Sequence, residues 1–547
     1  MTTHSNQSRD KLRPFSENPE PVYEVLSWTF LAYGLVLRLR HYWNNRSLWH
    51  DEAAISLNII NRSYGALLDR LDHAQAAPPL FLWAEKWVTQ LWDSSEYALR
   101  LLPVIASLIS LALFYQLLRR FASEVARPIA MGLFACIGYG VYFAAEVKPY
   151  TVDGAIALAI FLTLLPLRGQ LLSLGQRLGF SGLGGLAIWL SYPSVFMLVA
   201  AEATHWVGGS KRQLGRVLVN RLPVYGVWLL SFAVLYFGVI QKTLSDETLV
   251  SNWQQRYPDS WLDFVWLLDA IGRFFYRPLG FTGIAEAIAA VAFLSGCIWL
   301  YRQQRDRLIL LLLPIGVTLA AGYLRQYPFR ERLILFLAPF ALVIVAEGIA
   351  WPLRQQWLPL RACGWVLLGT LLLPAAWQTG AHVFNPERIP LFHAYAIRPA
   401  VIQIQSNWLD TDTLYISSRA ELPFRYYAQR YDFFSEQHVY GKQRLPDADA
   451  FTSQYLTDEL NPLVDASRVW LLFVLQSRAL PSPEALLNAL NLYFQGSPVE
   501  VLKTSNTLTC LYDLDDLAAF TPPRARHHLK TKASQVGYFR ALSDKTS

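Results

Sequence analysis

Charge is scarce in this sequence. Lys, Arg, Asp and Glu together make up 16% of 547 residues, against roughly a quarter in soluble domains. That shortage excludes an ordinary water-soluble globule. Cysteine is scarcer still, with four residues. Cys136, Cys297 and Cys363 fall in apolar runs and Cys510 stands alone, so no disulfide framework is expected. Walker and GxGxxG phosphate loops are missing, as are His-x-x-x-His and Cys-x-x-Cys spacings. No cytoplasmic nucleotide site and no metal-ligand set is therefore read from the residues, although a divalent cation is left open. There is no internal repeat and no low-complexity segment.

What is abundant is apolar and aromatic: 53% hydrophobic residues, including 19 Trp, 27 Tyr and 30 Phe. Many apolar runs approach the roughly 17–25 residues that span a bilayer. The net charge of +7 does not point to nucleic acid, because the excess Lys and Arg sits in short loops between these runs, the pattern of cytoplasmic loops.

The chain reads as a polytopic α-helical membrane protein with about eleven spans: 23–40, 98–118, 128–145, 150–167, 178–190, 193–207, 222–240, 284–300, 308–324, 333–349 and 362–379. The fifth and sixth are short. Keeping them separate puts "GGSKRQLGRVLVNR" and "YRQQRDR" on the same, cytoplasmic, side as "RRFASEVAR" and "WPLRQQWLPLR". Glycines in "GFSGLGGLA" allow close helix packing there. The first run has no cleavage site after it and is expected to be a retained anchor.

This gives a cytoplasmic segment 1–22, a membrane domain 23–379 with outer loops 42–97 and 241–283, an outer α/β domain 380–523 and a basic tail 524–547. The outer domain is read from strand "TLYIS", helix "ELPFRYYAQR", and strands "RVWLLFVL" and "TLTCLY". In the second outer loop Trp261, Phe264, Val265, Leu268 and Ile271 recur at helical spacing, as in a helix lying in the membrane interface.

Four stretches carry ionisable groups where chemistry could occur. In "SLWHDEAAIS" the adjacent Asp51 and Glu52 leave the first span. They could simply cap a helix, or supply a catalytic base, and a capping acid can do both. "LDHAQAAPPLFLWAEKW" places His73 and Gln75 before a Pro-Pro helix start. "YFAAEVKPYTVD" carries Glu146, Lys148, Tyr150 and Asp153. Asp153 lies about one turn inside an apolar helix, a depth at which ionisable groups face a bundle interior or a wet cavity. The plain alternative is a snorkelling Glu–Lys pair. "LRQYPFRERLILFLAPF" carries Tyr327, Arg330 and Arg332 in a short outer turn, where arginines suit an anionic ligand, phosphate above all, or a lipid headgroup.

The run "APPLFLWAEKWVTQLWDSSEYALRLLPVIASLISLALFYQLLRR" resembles the GT-C glycosyltransferases, and within them the protein-mannosyltransferase and lipid A aminoarabinose-transferase group. The matching features are Asp51-Glu52, Pro78-Pro79-Leu80, Ala98-Leu99-Arg100 and the turn from Glu146 to Asp153. The likeness in pattern covers roughly 45–345 and is strongest over 45–165. Where many relatives carry a lysine before the proline of the short hairpin, this chain has Ser191-Tyr192.

The resemblance implies a GT-C fold and an inverting transfer of sugar from a polyprenyl-phosphate donor to a hydroxyl acceptor, on the outer face of the membrane. Asp51 would be the base, with Glu52 supporting it or holding the sugar. Lys148, Arg330 and Arg332 would hold the lipid phosphate, and His73, Glu146, Tyr150, Asp153 and Tyr327 would line the substrate site. The expected partners are the polyprenyl-phosphate sugar, an unidentified hydroxyl acceptor and membrane lipids, with no nucleic acid. A multi-pass transporter or flippase of lipid-linked sugars is the alternative, and it would predict two similar halves.

Overall fold

The structure is a computed structural model. It describes residues 20–206, 211–254, 256–260, 262–386, 397–433, 437–443, 445–446, 453–463, 466–475, 481–504 and 506–515. Most of the N-terminal segment, Trp261 and the basic tail lie outside the described residues. The chain divides into two units, Met1–Arg46 with Asp51–Ala394 and Ser47–His50 with Tyr395–Ser547.

The first unit is helical: α1 (Pro21–Trp43), α2 (His50–Asn61), α3 (Pro79–Leu91), α4 (Glu96–Leu99), α5 (Leu101–Phe121), α6 (Ala126–Cys136), α7 (Gly138–Tyr142), α8 (Tyr150–Leu164), α9 (Leu174–Leu190), α10 (Ser194–Ala203), α11 (Lys211–Leu235), α12 (Gln241–Leu244), α13 (Glu247–Gln254), α14 (Phe264–Tyr276), α15 (Ile284–Tyr323), α16 (Ala338–Leu353) and α17 (Leu358–Phe384). Within the described residues, each of the eleven predicted spans falls on a helix. Among the described residues, seven segments can cross a membrane by length and composition, or eight if the bent pair α6–α7 is one span. The chain is a multi-pass membrane protein.

The lower count has two causes. The fifth and sixth predicted spans are α9 and α10, of 17 and 10 residues; ten residues rise about 15 Å, half of a hydrocarbon core about 30 Å thick. The eighth and ninth share α15, whose 40 residues break at Gln304 (φ −150°, ψ 63°).

Two contacts set how the helices pack. Gly296 of α15 and Gly348 of α16 bring those backbones together: a Cβ on Gly296 would lie 1.9 Å from the Ile344 carbonyl oxygen, and one on Gly348 would lie 1.8 Å from that of Ala292. Small residues at a crossing permit this approach in a membrane. On α1, Ser27, Leu31, Gly34, Arg38 and His41 are buried, a stripe spaced four and three residues apart.

Arg38 on that stripe is 1% exposed, a costly place for a cation unless every donor is used. Its Nε donates to Ser107 Oγ at 2.9 Å. Nη1 donates to the carbonyls of Gly34 and Ala135, each at 3.1 Å, and Nη2 to that of Phe134 at 3.2 Å. Phe134 and Ala135 belong to the last turn of α6, whose carbonyls have no partners within their own helix. Thr379 of α17 caps the next carbonyl, that of Cys136, at 2.8 Å. These donors satisfy a helix end inside the membrane, where an unpaired carbonyl is costly. They allow the chain to bend by 54° between α6 and the segment Gly138–Ala145, which delivers Glu146 and Lys148.

Helix α14 is amphipathic as expected. Phe264, Val265, Leu268 and Ile271 are exposed while Trp266, Ala270, Phe274 and Phe275 are buried.

The second unit contains α18 (Ile397–Ser406), β1 (Asp412–Ile416), α19 (Glu421–Arg430), β2 (His438–Tyr440), α20 (Ser453–Leu460), β3 (Arg468–Val474), α21 (Pro483–Phe494), β4 (Glu500–Lys503) and β5 (Thr507–Asp513). The sheet order is β2-β1-β3-β5-β4. β1 pairs parallel with β2 and β3, and β5 antiparallel with β3 and β4. The central β3 is buried along six of its seven residues, as expected of a strand covered on both faces.

Replacing Arg38 with Met leaves the Phe134 and Ala135 carbonyls and the Ser107 hydroxyl without this donor, while the Gly34 carbonyl keeps its bond within α1. At about 1–3 kcal/mol for each buried group left unpaired, Arg38→Met should lower thermal stability in detergent markedly. A Ser107→Ala variant, which loses only one partner, should lower it far less. Equal melting temperatures for wild type and Arg38→Met would remove Arg38 from this role.

Candidate active site

The two acids that begin α2 turn to different neighbours. Glu52 is fully buried. Its Oε1 and Oε2 accept from Arg100 Nε and Nη2 at 2.9 and 2.8 Å, a two-pronged pair. Arg46 Nη1 lies 3.4 Å from Oε2, and the Val147 amide donates to Oε1 at 3.1 Å. Burial pushes the Glu52 carboxyl up, but the Arg100 and Arg46 charges and these hydrogen bonds outweigh it and hold it below the ordinary glutamate value. Arg100 also donates from Nη1 to the Arg46 carbonyl at 2.7 Å. One carboxylate thus ties together the start of α2, the start of α5 and the loop after α7.

Asp51 is more open, its side chain 18% exposed. Its Oδ1 accepts from Gln75 Nε2 at 3.0 Å and lies 3.4 Å from Lys148 Nζ. Its Oδ2 lies 3.0 Å from Arg332 Nη2. Burial pushes this carboxyl up; the Lys148 and Arg332 charges, with the Gln75 and Lys148 hydrogen bonds, prevail and hold it well below the usual carboxylate range. Asp51 sits in the first turn of α2, behind His50 rather than at the cap. Its carboxylate oxygens meet these side chains.

Lys148 is 4% exposed and donates to Gln75 Oε1 at 2.5 Å. Burial pulls its ammonium down and Asp51 partly restores it, leaving it lowered. Gln75 therefore bridges acid and base, one end on each. Its amide also donates to the His73 carbonyl at 3.2 Å. His73 and Ala74 are left-handed, with φ of 63° and 51°, a conformation that costs a non-glycine residue energy and that turns the chain into the cluster.

Glu146 is the odd member. It is fully buried, and neither carboxylate oxygen has a hydrogen-bond partner. Burial, with Glu52 and Asp51 adding repulsion against Arg46 and Arg332, pushes it up to about 8. At neutral pH it carries a proton, and it titrates where a proton-transfer group is useful.

Of the ten residues expected from sequence, the structure gathers Asp51, Glu52, Glu146, Lys148 and Arg332 around α2. Tyr150 lies under the Arg332 guanidinium, 5.6 Å from the ring centre. Asp153, one turn further along α8, is buried. Tyr327 donates to the Leu333 carbonyl at 2.8 Å. Arg330 pairs with Asp269 of α14 at 2.5 Å, and the His73 side chain is exposed. Gln75, Arg46 and Arg100 join the cluster without having been singled out as site residues. Arg100 belongs to the "ALR" stretch, and Gln75 stands beside His73 in the same polar loop. Among the described residues, no group of three or more His, Cys, Asp or Glu is placed to hold a metal ion.

No protein-family model matches the chain, and no curated protein matches it in sequence. Solved structures resemble it in fold. ArnT from Cupriavidus metallidurans, bound to undecaprenyl phosphate, superimposes with a TM-score of 0.48 at 12% identity, over 91% of this chain and 99% of that one. The archaeal oligosaccharyltransferase AglB from Archaeoglobus fulgidus, with an inhibitory peptide and a dolichol-phosphate, gives 0.47 at 12% identity, over 82% and 69%. The arabinofuranosyltransferase AftD from Mycobacteria gives 0.44 at 14% identity, over 91% and 40%. All three scores are below 0.5, and no residue role passes from these proteins to this chain.

Two outcomes separate the acids. Glu52→Gln breaks a buried two-pronged ion pair and should cost on the order of 3–5 kcal/mol of stability. Asp51→Asn keeps the Gln75 contact at a more exposed position and should cost much less. Thermal melts of the two purified variants decide this, and a Glu52→Gln protein as stable as wild type would contradict it.

Glu146 gives a pH signature. Its carboxyl binds more protons folded than unfolded between the ordinary value of 4.5 and about 8, so its contribution to stability falls as pH rises through that window. In Glu146→Gln the decline in melting temperature between pH 5 and pH 8 should be shallower. An unchanged slope would refute the shift.

Proposed function

We propose that this chain is an inverting GT-C glycosyltransferase that moves a sugar from a polyprenyl-phosphate donor to a hydroxyl acceptor at the outer face of the membrane. The observation that carries this reading is the Asp51 carboxylate held between Lys148 and Arg332 at the ends of apolar helices. Such an arrangement offers two cations to a lipid phosphate and one acid to an acceptor.

In the transfer, the acceptor oxygen attacks the anomeric carbon while the bond from that carbon to the phosphate oxygen breaks. The phosphate leaves with the bonding electrons and stays on the lipid. It is already anionic, so cations serve it better than an acid. The acceptor proton goes to a single base on the opposite face, which produces inversion. Asp51 is that base.

With Lys148 and Arg332 both against it, Asp51 is a weak base. A donor phosphate seated on those cations draws charge away from Asp51 and returns basicity to it, so the base strengthens when the donor is bound. Glu52 is a positioning residue that fixes α2 against Arg100. Glu146, protonated at neutral pH and without a partner, is placed to hydrogen-bond a substrate oxygen. Arg330, held by Asp269, stands outside the phosphate contact.

A charge-assisted contact contributes about 1.5–3 kcal/mol, so Lys148→Ala and Arg332→Ala should each weaken donor binding about tenfold or more. Arg330→Ala should weaken it less. Asp51→Asn should bind donor and transfer nothing. Direct binding of a polyprenyl-phosphate sugar, with the matching nucleotide sugar as control, tests the assignment. Tight nucleotide-sugar binding, or unchanged lipid-donor affinity in both cation variants, would overturn it.

A further inference from the structure

A second polar cluster lies deeper in the first unit, and nothing in the ion-pair network uses it. Asp153 of α8, Ser191 at the end of α9 and Ser194 at the start of α10 are 5%, 0% and 1% exposed. The Ser191 hydroxyl reaches the Asp153 carboxyl, and Ser194 Oγ has no hydrogen-bond partner. One hydroxyl and one carboxyl cannot use up each other's bonding capacity, and a third buried hydroxyl beside them is rarely left unpaired, so the group calls for a ligand or water to complete it.

They belong together. The Ser191 hydroxyl faces the Asp153 carboxyl, and Ser194 is in the same turn as Ser191, its amide donating to the Ser191 carbonyl at 3.1 Å. Around them are aromatic rings. Tyr327 meets Phe196 of α10 edge-on at 5.1 Å, and both Tyr192 and Tyr327 lie within the field of Asp153. Tyr192 donates to the Ala77 carbonyl at 2.9 Å, which sets this turn beside the loop that carries Gln75 to Asp51 and Lys148.

We propose that Asp153, Ser191 and Ser194 form the pocket for the sugar ring of the donor, and that the ring is a hydroxyl-bearing one without an anionic group; this rests on the glycosyltransferase reading above. Two hydroxyls that both donate and accept, beside a carboxyl oxygen, match a row of ring hydroxyls. The flanking aromatic rings suit the apolar face of a sugar. Among the described residues, no Lys or Arg is paired with any of the three groups, and no cation offsets the Asp153 carboxyl. A carboxylate on the ring would meet Asp153 with nothing to neutralise either.

The test uses the purified full chain in lipid nanodiscs with three kinds of probe. These are undecaprenyl phosphate alone, undecaprenyl-phosphate glucose, galactose, mannose and arabinose, and the corresponding methyl glycosides with methyl glucuronide as the anionic control. Wild type should bind at least one neutral glycosylated lipid more tightly than the bare phosphate. Ser191→Ala and Ser194→Ala, each removing one hydrogen bond from a small side chain, should weaken that glycosylated lipid about fivefold and leave the bare lipid unchanged. Asp153→Asn should change the preference among sugars.

If wild type binds no glycosylated lipid more tightly than the bare one, the pocket assignment falls while the phosphate site stands. The pocket falls equally if the serine variants weaken both lipids alike or neither, which leaves the three groups to buried water, or if the glucuronide is preferred. If no lipid phosphate binds but a neutral methyl glycoside still binds in a Ser191-dependent way, the pocket stands and the polyprenyl donor is wrong.

Discussion

Glu52 and Arg100 hold the site together. Two fully buried opposite charges are expensive to bring out of water, and the cost is met only when the geometry is good and the remaining bonds are filled. Here Arg100 grips both oxygens, and the Val147 amide and Arg46 take what is left. The pair joins three segments distant in sequence. Once Glu52 is held, its neighbour Asp51 has little choice of direction, and Val147 brings Lys148 with it.

Charges around α2 are therefore sorted by exposure. The fully buried acid is matched by arginines and serves the scaffold. The partly open one is clasped by Lys148, Gln75 and Arg332, groups that a ligand could take over. Glu146, equally buried but unmatched, stays protonated, which avoids a third negative charge in a space that already holds two. Carboxyl side chains that feel one another's charge thus differ in protonation because of what each can reach.

Much of this was legible in the sequence because ionisable residues stand out in an apolar chain. Asp51, Glu146, Lys148 and Arg332 were found by position alone, at the ends of apolar runs. The role of Arg100 was not legible, since it depends on a partner 48 residues away; nor was the pairing of Arg330 with Asp269, which needs α14 folded back on the turn. His73 drew notice as a histidine, yet its backbone carbonyl and left-handed turn are what touch the cluster. In the second unit the long strands β1, β3 and β5 were read from dense apolar runs. β2 and β4, with three and four residues and half-exposed side chains, gave too short a pattern. The spans were all visible as apolar stretches, but hydropathy does not say whether a ten-residue helix crosses or where a 40-residue helix breaks.

The meeting of Gly296 with Gly348 has a mechanical consequence. Helices that touch through side chains can shift by changing rotamers, whereas α15 and α16 touch through main-chain atoms that have none to change. A slide of an ångström along this line would drive carbonyl oxygens into α-carbons. The part of α15 before its break at Gln304 and α16 therefore behave as one stiff beam, and breathing of the first unit falls to the break and to helices whose contacts run through longer side chains.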